Sequence, residues 1–182
     1  RQWGRMFPDG RSSFFLAMNQ NKHGVTVNLR DEQEKQWLRD YCSTEADVVI
    51  QNMRPGRIEA SGLGAIDLVQ ANPRLVYCNM GAFGHAGPLK ERAGYDPLMQ
   101  AFGGLMSITG EELGRSPVKV GAPLTDITAG ILGALGAVSA LVQRNASGQG
   151  QKVDTSLFEA GIVHTYWQSA ICMATGVSPG PM

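Results

Sequence analysis

Cysteine and histidine are scarce in this 182-residue chain, which has three of each, and none are spaced like the ligands of a metal ion. The cysteines, Cys42, Cys78 and Cys172, are odd in number, far apart and set in apolar runs. We therefore expect reduced thiols in a core rather than a disulfide framework. This cysteine usage favours a cytoplasmic protein.

An excess of charge is also missing, because 16 Lys and Arg residues balance 16 Asp and Glu residues. The balance argues against a nucleic-acid partner, although it leaves open a local cationic site for a phosphorylated ligand. No uninterrupted apolar stretch is long enough to predict a membrane span, and the first residues lack the apolar core of a signal peptide. The composition, 43% hydrophobic and 18% charged, is typical of a soluble globular protein.

The first half of the chain alternates predicted strands and helices. Strands are predicted at Gly24–Leu29, in the apolar run ADVVIQN, and at Arg74–Met80. One helix begins at Asp31, and a second covers Ala65–Ala71 before Asn72 and Pro73. Such alternation with short connections predicts an α/β fold with a doubly wound, largely parallel sheet and helices on both faces.

The helix at Asp31 has Glu34 three residues further on, which is the spacing of a capping box. Its predicted buried stripe consists of Trp37, Leu38, Tyr41 and Cys42.

In the second half, a glycine-rich loop leads to a predicted helix at Pro97–Ser107. The run Val120–Arg144 predicts a long helix of small and aliphatic residues. A short strand in GQGQKVDTS and a last helix at Leu157–Thr175 complete the expected elements.

Asp126 stands near the start of that long helix, which has hardly any other charge before Arg144. One interpretation is a helix cap, because free N–H groups and the positive end of the helix dipole favour a carboxylate there. The other is a carboxylate nucleophile that attacks a bound ester or thioester. The spacing alone leaves both interpretations open.

Three further stretches have side chains suited to a ligand. Asn52 and Arg54 follow the second predicted strand, where open parallel sheets bind ligands. Lys22 and Arg30 bracket the first predicted strand, and they suit phosphate groups or simply solvent. Tyr95 could stack on an aromatic ligand, whereas Asp96 and Pro97 beside it also fit the start of a helix.

Six stretches, in this order, resemble the class III coenzyme A transferases, the family of formyl-CoA and carnitine CoA-transferases. They are NQNKHGVTVNLR, ADVVIQNMRPG, NPRLVYCNMGAFGHAGP, AGYDPLMQAFGGLMSITG, VGAPLTDITAG and GQGQKVDTSLFEA. The resemblance covers nearly the whole chain. It implies that the fold is the Rossmann-like large domain of that family and that Asp126 is the catalytic nucleophile.

The mechanism implied by the resemblance is covalent. Asp126 forms a mixed anhydride with the acyl group and then an aspartyl-CoA thioester, from which coenzyme A passes to an acceptor carboxylic acid. Acyl-CoA and this acid are the substrates, with no metal ion and no permanently bound cofactor. The implied CoA-binding residues are Val27, Asn28, Leu29, Arg30, Asn52, Met53, Arg54, Ala93, Gly94, Tyr95 and Asp96.

The resemblance also bears on domain organisation and assembly. Residues 1–182 match the central part of the family's large domain, so we expect a first strand unit before them and a small domain after them. Family members are homodimers of two interlocked subunits. They often carry an arginine where this chain has Ala60. The resemblance therefore leaves open which residue binds the phosphate groups of coenzyme A at this point, and Arg57 is the nearby candidate.

Two alternatives to a transferase stay open. An α-methylacyl-CoA racemase shares the fold, but those enzymes have a histidine where this chain has Tyr95, and a tyrosine is a poor base near neutral pH. The chain by itself could also bind coenzyme A without catalysing transfer. Neither the acyl donor nor the acceptor acid is identified by the sequence.

Overall fold

The computed structural model describes residues 4–112 and 114–181, and within them a parallel sheet is covered on both faces by helices. This confirms the predicted α/β fold. The strands are β1 (Val48–Gln51), β2 (Val76–Gly81) and β3 (Lys152–Ser156). The helices are α1 (Ser13–Met18), α2 (Glu32–Thr44), α3 (Ala65–Ala71), α4 (Asp96–Phe102), α5 (Leu124–Ser147), α6 (Leu157–His164) and α7 (Tyr166–Thr175).

The strand order is β1-β2-β3, and the register places Gln51, Asn79 and Asp154 side by side. Gln51 Nε2 donates to Asn79 Oδ1 at 2.6 Å, and Asn79 Nδ2 donates to Asp154 Oδ1 at 3.0 Å. This polar ladder crosses all three strands near their carboxyl ends. Because each of these side chains is bonded to its partner on the adjacent strand, a register shift would leave partly buried polar groups unpaired.

Alternate residues of β2, together with Leu75 just before it, build a separate core on each face of the sheet. Leu75 and Tyr77 pack with residues from α2 and α3, and the Tyr77 hydroxyl donates to the carbonyl of Leu63 at 2.8 Å. Burial, reinforced by the charge of Glu59, raises the pKa of Tyr77 to about 12. On the opposite face Val76 packs against α5. The central strand is therefore apolar on both sides, as expected of a covered parallel sheet.

Small residues let α5 lie close to the sheet. A Cβ added at Gly136 would stand 2.6 Å from Val153 Cγ1, and one at Gly133 would stand 3.1 Å from Met80 Sδ. At the far end of α5, Arg144 Nη2 forms an ion pair with Asp47 Oδ1 at 2.8 Å. The long run of small residues is thus explained by close helix–sheet packing.

One predicted strand does not form. Residues 24–29 have no strand assignment and are mostly exposed, and the third strand of the sheet is β3, which follows α5. A strand needs a neighbour to satisfy its N–H and C=O groups, and no strand in the described part of the chain pairs with this segment. An alternating apolar pattern predicts an extended segment but does not identify its neighbour.

The start of α2 confirms Asp31 as its cap, because Asp31 Oδ1 accepts from the backbone N–H groups of Gln33 and Glu34 at 2.9 and 3.0 Å. Glu34 departs from the capping box, since its Oε2 accepts from the N–H of Asn28 at 2.7 Å. The predicted buried stripe is only half right. Leu38 and Cys42 pack on the core, whereas Trp37 and Tyr41 stack on each other with about half of their surface exposed.

Two other helices are shorter than predicted. The helix expected at Pro97–Ser107 ends at Phe102, and Gly104, with φ +81°, separates it from a short 3-10 turn at Leu105–Ser107. The helix expected at Leu157–Thr175 is divided at Thr165. There the Thr165 hydroxyl donates to the carbonyl of Gly103, the residue that follows α4, at 3.0 Å. The helix is interrupted where it makes this contact.

Of the helices that the structure describes, α5 has the length and composition of a membrane span, with 24 residues and an 18-residue stretch of mean hydropathy 1.6. Scattered small and polar residues interrupt its apolar run, which is why no single apolar stretch stands out in the sequence. Its packing on β2 and β3 is also what a sheet-covering helix requires, so length and composition are weak evidence for a membrane.

Candidate active site

An open pocket of about 400 Å³ lies between the carboxyl ends of β1 and β2 and the N-terminus of α5. This is the edge of the sheet at which open α/β folds bind ligands. Its walls come from the loop after β1, the end of β2, the loop before α4, and the first turns of α5 and α6. The lining residues are Asn52, Met53, Arg54, Pro55, Met80, Gly81, Ala82, Arg92, Ala93, Gly94, Tyr95, Asp126 and Leu157.

Asp126 enters this pocket from the first turn of α5, as the third residue of the helix. The cap position belongs to Pro123, which has no side-chain hydrogen bond to offer. Within residues 4–112 and 114–181, no group donates a hydrogen bond to the Asp126 carboxylate. Asp126 therefore does not cap α5 through a hydrogen bond, although it stands in the first turn, where the helix dipole favours a carboxylate, and its carboxylate faces the pocket unpaired.

The side chain that satisfies the start of α5 is Asp96, from the first turn of α4. Its Oδ1 accepts from both the backbone N–H and the hydroxyl of Thr125, at 2.9 Å each. Its Oδ2 accepts from Gln100 Nε2 at 2.8 Å, and Gln100 Oε1 accepts from the N–H of Val120 at 3.0 Å. Asp96, Thr125 and Gln100 are all at most 3% exposed. We call these three residues the α4–α5 joint.

The electrostatic environment of Asp126 is unfavourable to its negative charge. Burial by the pocket walls raises the pKa of Asp126, and the negative charge of Asp96 raises it further. A helix N-terminus ordinarily lowers the pKa of a nearby carboxylate. The net shift of the Asp126 pKa is upward, so Asp126 holds a proton more tightly than an ordinary aspartate.

Six of the predicted CoA-binding residues meet Asp126 in this pocket: Asn52, Met53, Arg54, Ala93, Gly94 and Tyr95. The first three follow β1 and the last three precede α4, so both groups stand at the same sheet edge. Gly94 allows its loop to lie against the end of β2, because an added Cβ would stand 3.0 Å from Ala82 Cβ and would also meet the Met99 side chain.

The other predicted CoA-binding residues lie elsewhere. Val27 lines a separate surface groove, and Leu29 lines an apolar cavity of about 350 Å³ that borders the pocket at Asn52 and Met53. Asn28 Oδ1 accepts from the N–H of Arg30 at 3.1 Å, which forms a local turn. Asp96 is buried in the α4–α5 joint and does not line the pocket. A ligand-binding role for these residues stays a prediction.

Arg92 is a pocket residue that the sequence analysis missed. It lies two positions before Gly94, and a cation next to the AGYD stretch was the available signal. In the described part of the chain, neither Arg92 nor Arg54 forms an ion pair. The pocket therefore combines one unpaired carboxylate with two unpaired guanidinium groups, which suits a ligand that carries negative charge.

Candidate metal ligands do not cluster around the pocket. Among residues 4–112 and 114–181 no group of three His, Cys, Asp or Glu side chains could hold a metal ion. The polar groups of the pocket are instead a carboxylate, an amide, a phenol and two guanidinium groups.

Comparison of the sequence with known proteins gives a family match and several named relatives. The sequence model of CoA-transferase family III matches residues 1–182. An "Acyl-CoA transferase" of Fusarium pseudograminearum is 41% identical over 148 residues, which is 81% of this chain and 32% of that protein. The human "Succinyl-CoA:glutarate CoA-transferase" is 36% identical over 163 residues, which is 89% of this chain and 36% of that protein.

A solved structure gives the same result for the fold. The crystal structure of a CaiB/BaiF family protein from Brucella suis superposes with a TM-score of 0.91 at 37% sequence identity. The superposition covers 100% of this chain and 49% of that chain. This chain therefore spans between about one third and one half of the length of the relatives it matches.

Proposed function

The chain belongs to CoA-transferase family III, and we propose that the whole protein moves coenzyme A from an acyl-CoA thioester to an acceptor carboxylic acid. The observation that carries the proposal is the unpaired Asp126 carboxylate in an open pocket at the ligand-binding edge of the sheet. The names of relatives support it, among them "Succinyl-CoA:glutarate CoA-transferase" and "Acetyl-CoA:oxalate CoA-transferase".

The proposed reaction begins at the Asp126 carboxylate. One of its oxygens attacks the thioester carbonyl, and the C–S bond breaks to give a mixed anhydride and CoA thiolate. The thiolate attacks the aspartyl carbonyl, which forms an aspartyl-CoA thioester and releases the first acid as a carboxylate. The acceptor carboxylate repeats these two steps in reverse order and leaves as the new acyl-CoA, restoring Asp126.

The pocket offers what each of these steps needs. An exposed carboxylate without hydrogen-bond partners keeps its lone pairs available for attack. At the first turn of α5 the N–H groups of Leu124, Thr125 and Ile127 already donate to Ala122, Asp96 and Pro123, which leaves the N–H of Asp126 for negative charge on the attacked carbonyl. Arg54 and Arg92 supply positive charge for phosphate or carboxylate groups of the substrates. We infer that Asn52–Arg54 and Ala93–Tyr95 contact coenzyme A.

The proposal includes a homodimer that acts in the cytoplasm. Its support is an apolar outer face of α5, whose exposed side chains are characteristic of a surface that contacts more protein. These side chains are Ile131, Leu135, Val138 and Val142, each at least 57% exposed. The three cysteines are free, which suits a reducing compartment.

Intact mass spectrometry tests the proposed reaction. The full-length protein is incubated with succinyl-CoA, acetyl-CoA and formyl-CoA, and with a chiral 2-methylacyl-CoA, beside the variant Asp126→Asn. We expect an acyl-sized or CoA-sized adduct on the parent protein that the variant does not form. Loss of the nucleophile should lower turnover at least about 10³-fold.

The other outcomes of this experiment are equally informative. An adduct on the full-length protein but not on the isolated 182-residue chain would assign a role in catalysis to sequence outside these 182 residues. If the parent forms no adduct and instead racemises the 2-methylacyl-CoA, the transferase proposal fails and the racemase takes its place. Tyr95 on the pocket wall, in place of a histidine, argues against that result.

A further inference from the structure

Asp96 and Asp126 meet at the first turn of α5: Asp126 belongs to this turn, and Asp96 is bonded to it from α4. Asp96 bonds to Thr125, and Asp126 is the next residue along the helix. Any movement of Asp96 is therefore transmitted through one peptide unit to the residue that carries the pocket carboxylate. The two carboxylates are also close enough for the charge of one to affect the protonation of the other.

The α4–α5 joint contains more hydrogen bonds than the capping of a helix requires. One acceptor for the N–H of Thr125 would complete an ordinary cap. Asp96 accepts three hydrogen bonds, and Gln100 continues the network to the N–H of Val120 and the carbonyl of Ala122, at 3.0 and 3.2 Å. The loop before α5 and the first turn of the helix are thereby held as one rigid unit.

We propose that Asp96 is a positioning residue for Asp126, which both fixes the turn that carries the nucleophile and places a buried negative charge behind it. The geometry alone supports the first half of this role, because Asp96 accepts two hydrogen bonds from Thr125, the residue adjacent to Asp126, and a third from Gln100. The second half follows from burial, because a charge shielded from water acts on its neighbour more strongly than an exposed one. The inference rests on the proposed function of Asp126.

The consequence for reactivity is a more basic nucleophile. A neighbouring negative charge raises the free energy of the Asp126 carboxylate, and attack on the thioester relieves that repulsion as charge leaves Asp126. Nucleophilic strength generally increases with basicity. The negative charge of Asp96 should lower the reactivity of Asp126 only in acid, where the Asp126 carboxylate becomes protonated.

The charged and titratable groups around Asp126 can be assigned to every wall of the pocket. Arg54 lies on the loop after β1, and Arg92 and Tyr95 lie on the loop before α4. Asp96 comes from α4 itself, and the lining residues from β2 and α6 are not titratable. Replacement of Asp96 removes neither guanidinium group, so we attribute a difference between the variants and the parent to Asp96.

The test compares Asp96→Asn with Thr125→Val in the full-length protein. Asp96→Asn removes the charge but keeps an oxygen that can accept from Thr125. Thr125→Val removes one hydrogen bond of the joint and keeps the charge. The readouts are the titration of the Asp126 carboxyl carbon by ¹³C NMR and the pH dependence of adduct formation.

We expect Asp96→Asn to move the Asp126 titration and the acid limb of adduct formation to lower pH, and Thr125→Val to leave both in place. Because the Asp126 carboxylate is less basic without the neighbouring charge, adduct formation at neutral pH should also be slower by about tenfold in Asp96→Asn. If neither variant shifts the titration, or both shift it equally, Asp96 is only a structural cap and the inference is overturned.

The NMR titration does not depend on transferase activity. It therefore separates failure of this inference from failure of the proposed function, which the mass experiment detects. An amide at position 96 would place one donor against Gln100 Nε2, so Asp96→Asn could fail to fold. The double variant D96N/Q100E restores the donor–acceptor match between positions 96 and 100, although the carbonyl of Ala122 then loses the donor that Gln100 supplied. It moves the negative charge from the side chain bonded to Thr125 to the side chain bonded to Val120, so we still expect the Asp126 titration at lower pH than in the parent.

Discussion

The two sides of the first turn of α5 are built in opposite ways. On one side, Thr125 is fully buried and is bonded through both its N–H and its hydroxyl to Asp96. On the other side, Asp126 faces an open pocket with no hydrogen bond to its carboxylate in the described part of the chain. One residue of sequence thus separates a satisfied structural group from an unsatisfied one.

This contrast suggests how a reactive group is made stable enough to use. A carboxylate that is fully hydrogen-bonded is a good structural element and a poor nucleophile, because its lone pairs are engaged. The joint provides the rigidity, so Asp126 does not need bonds of its own to be held in place. Local rules of polar satisfaction are often broken at functional sites and compensated next to them.

The largest difference between the two sides should appear in stability. Asp96→Ala leaves the donors of Thr125 and Gln100 buried without an acceptor, which should lower the free energy of unfolding by about 3 kcal/mol or more. Asp126→Ala should change it by less than about 0.5 kcal/mol, because no hydrogen bond is lost. Urea unfolding of both variants measures the contrast, with Asp40→Ala on the exposed face of α2 as a control.

Equal losses for Asp96→Ala and Asp126→Ala would contradict the division between a structural and a reactive side. An Asp40→Ala loss as large as that of Asp96→Ala would show that any aspartate on these helices matters equally.

A smaller change should sharpen the comparison within the joint. Thr125→Val removes the hydroxyl that donates to Asp96 at 2.9 Å but keeps the volume of the side chain and the backbone N–H. We expect a loss of about 1–2 kcal/mol in the free energy of unfolding. Thr125→Ser keeps the hydroxyl but removes the buried methyl group, and Thr125→Ala removes both. A serine variant no more stable than the alanine variant would exclude the hydrogen bond as a cause.

The smallest expected effect is the contribution of Asp126 to the pH dependence of stability. Because the folded-state pKa of Asp126 is raised above its ordinary value of 3.8, the folded state binds this proton more tightly than the unfolded state does. Stability should therefore fall slightly as pH rises from below 3.8 through the folded-state pKa. Solvent screening limits the effect to less than about 0.5 kcal/mol.

Asp126→Asn isolates this contribution. The variant should gain stability over the parent at neutral pH and lose that advantage in acid, in urea unfolding at several pH values. An advantage that grows as the pH falls would have the wrong sign and would contradict the raised pKa.

Local patterns in the sequence were good predictors wherever the determining contacts are local. The Asp31 cap and the bounds Ala65–Ala71 are confirmed, because a cap and a helix stop depend on residues a few positions apart. The convergence of Asn52–Arg54 with Ala93–Tyr95 was also predictable, since both stand at the ligand-binding edge of a parallel sheet. The proposed role of Asp126 came from resemblance, since spacing alone allowed a cap.

Non-local contacts account for the failures. Residues 24–29 have the alternation of a strand, but a strand forms only beside another strand. Trp37 and Tyr41 lie on the predicted apolar stripe of α2, but they stack on each other at the surface instead. That residues 1–182 form the central part of a larger domain stays a prediction.

The sequence by itself therefore determined the order of most helices and strands and the small residues that bring α5 close to the sheet. It also placed two aspartates, Asp96 and Asp126, at helix starts without distinguishing their roles. Only the tertiary structure decided that Asp96 reaches across from α4 to cap α5 and that Asp126 stays unpaired. The reason is physical: Asp96 and Thr125 are 29 positions apart, and their hydrogen bond exists only once the two helices have packed together.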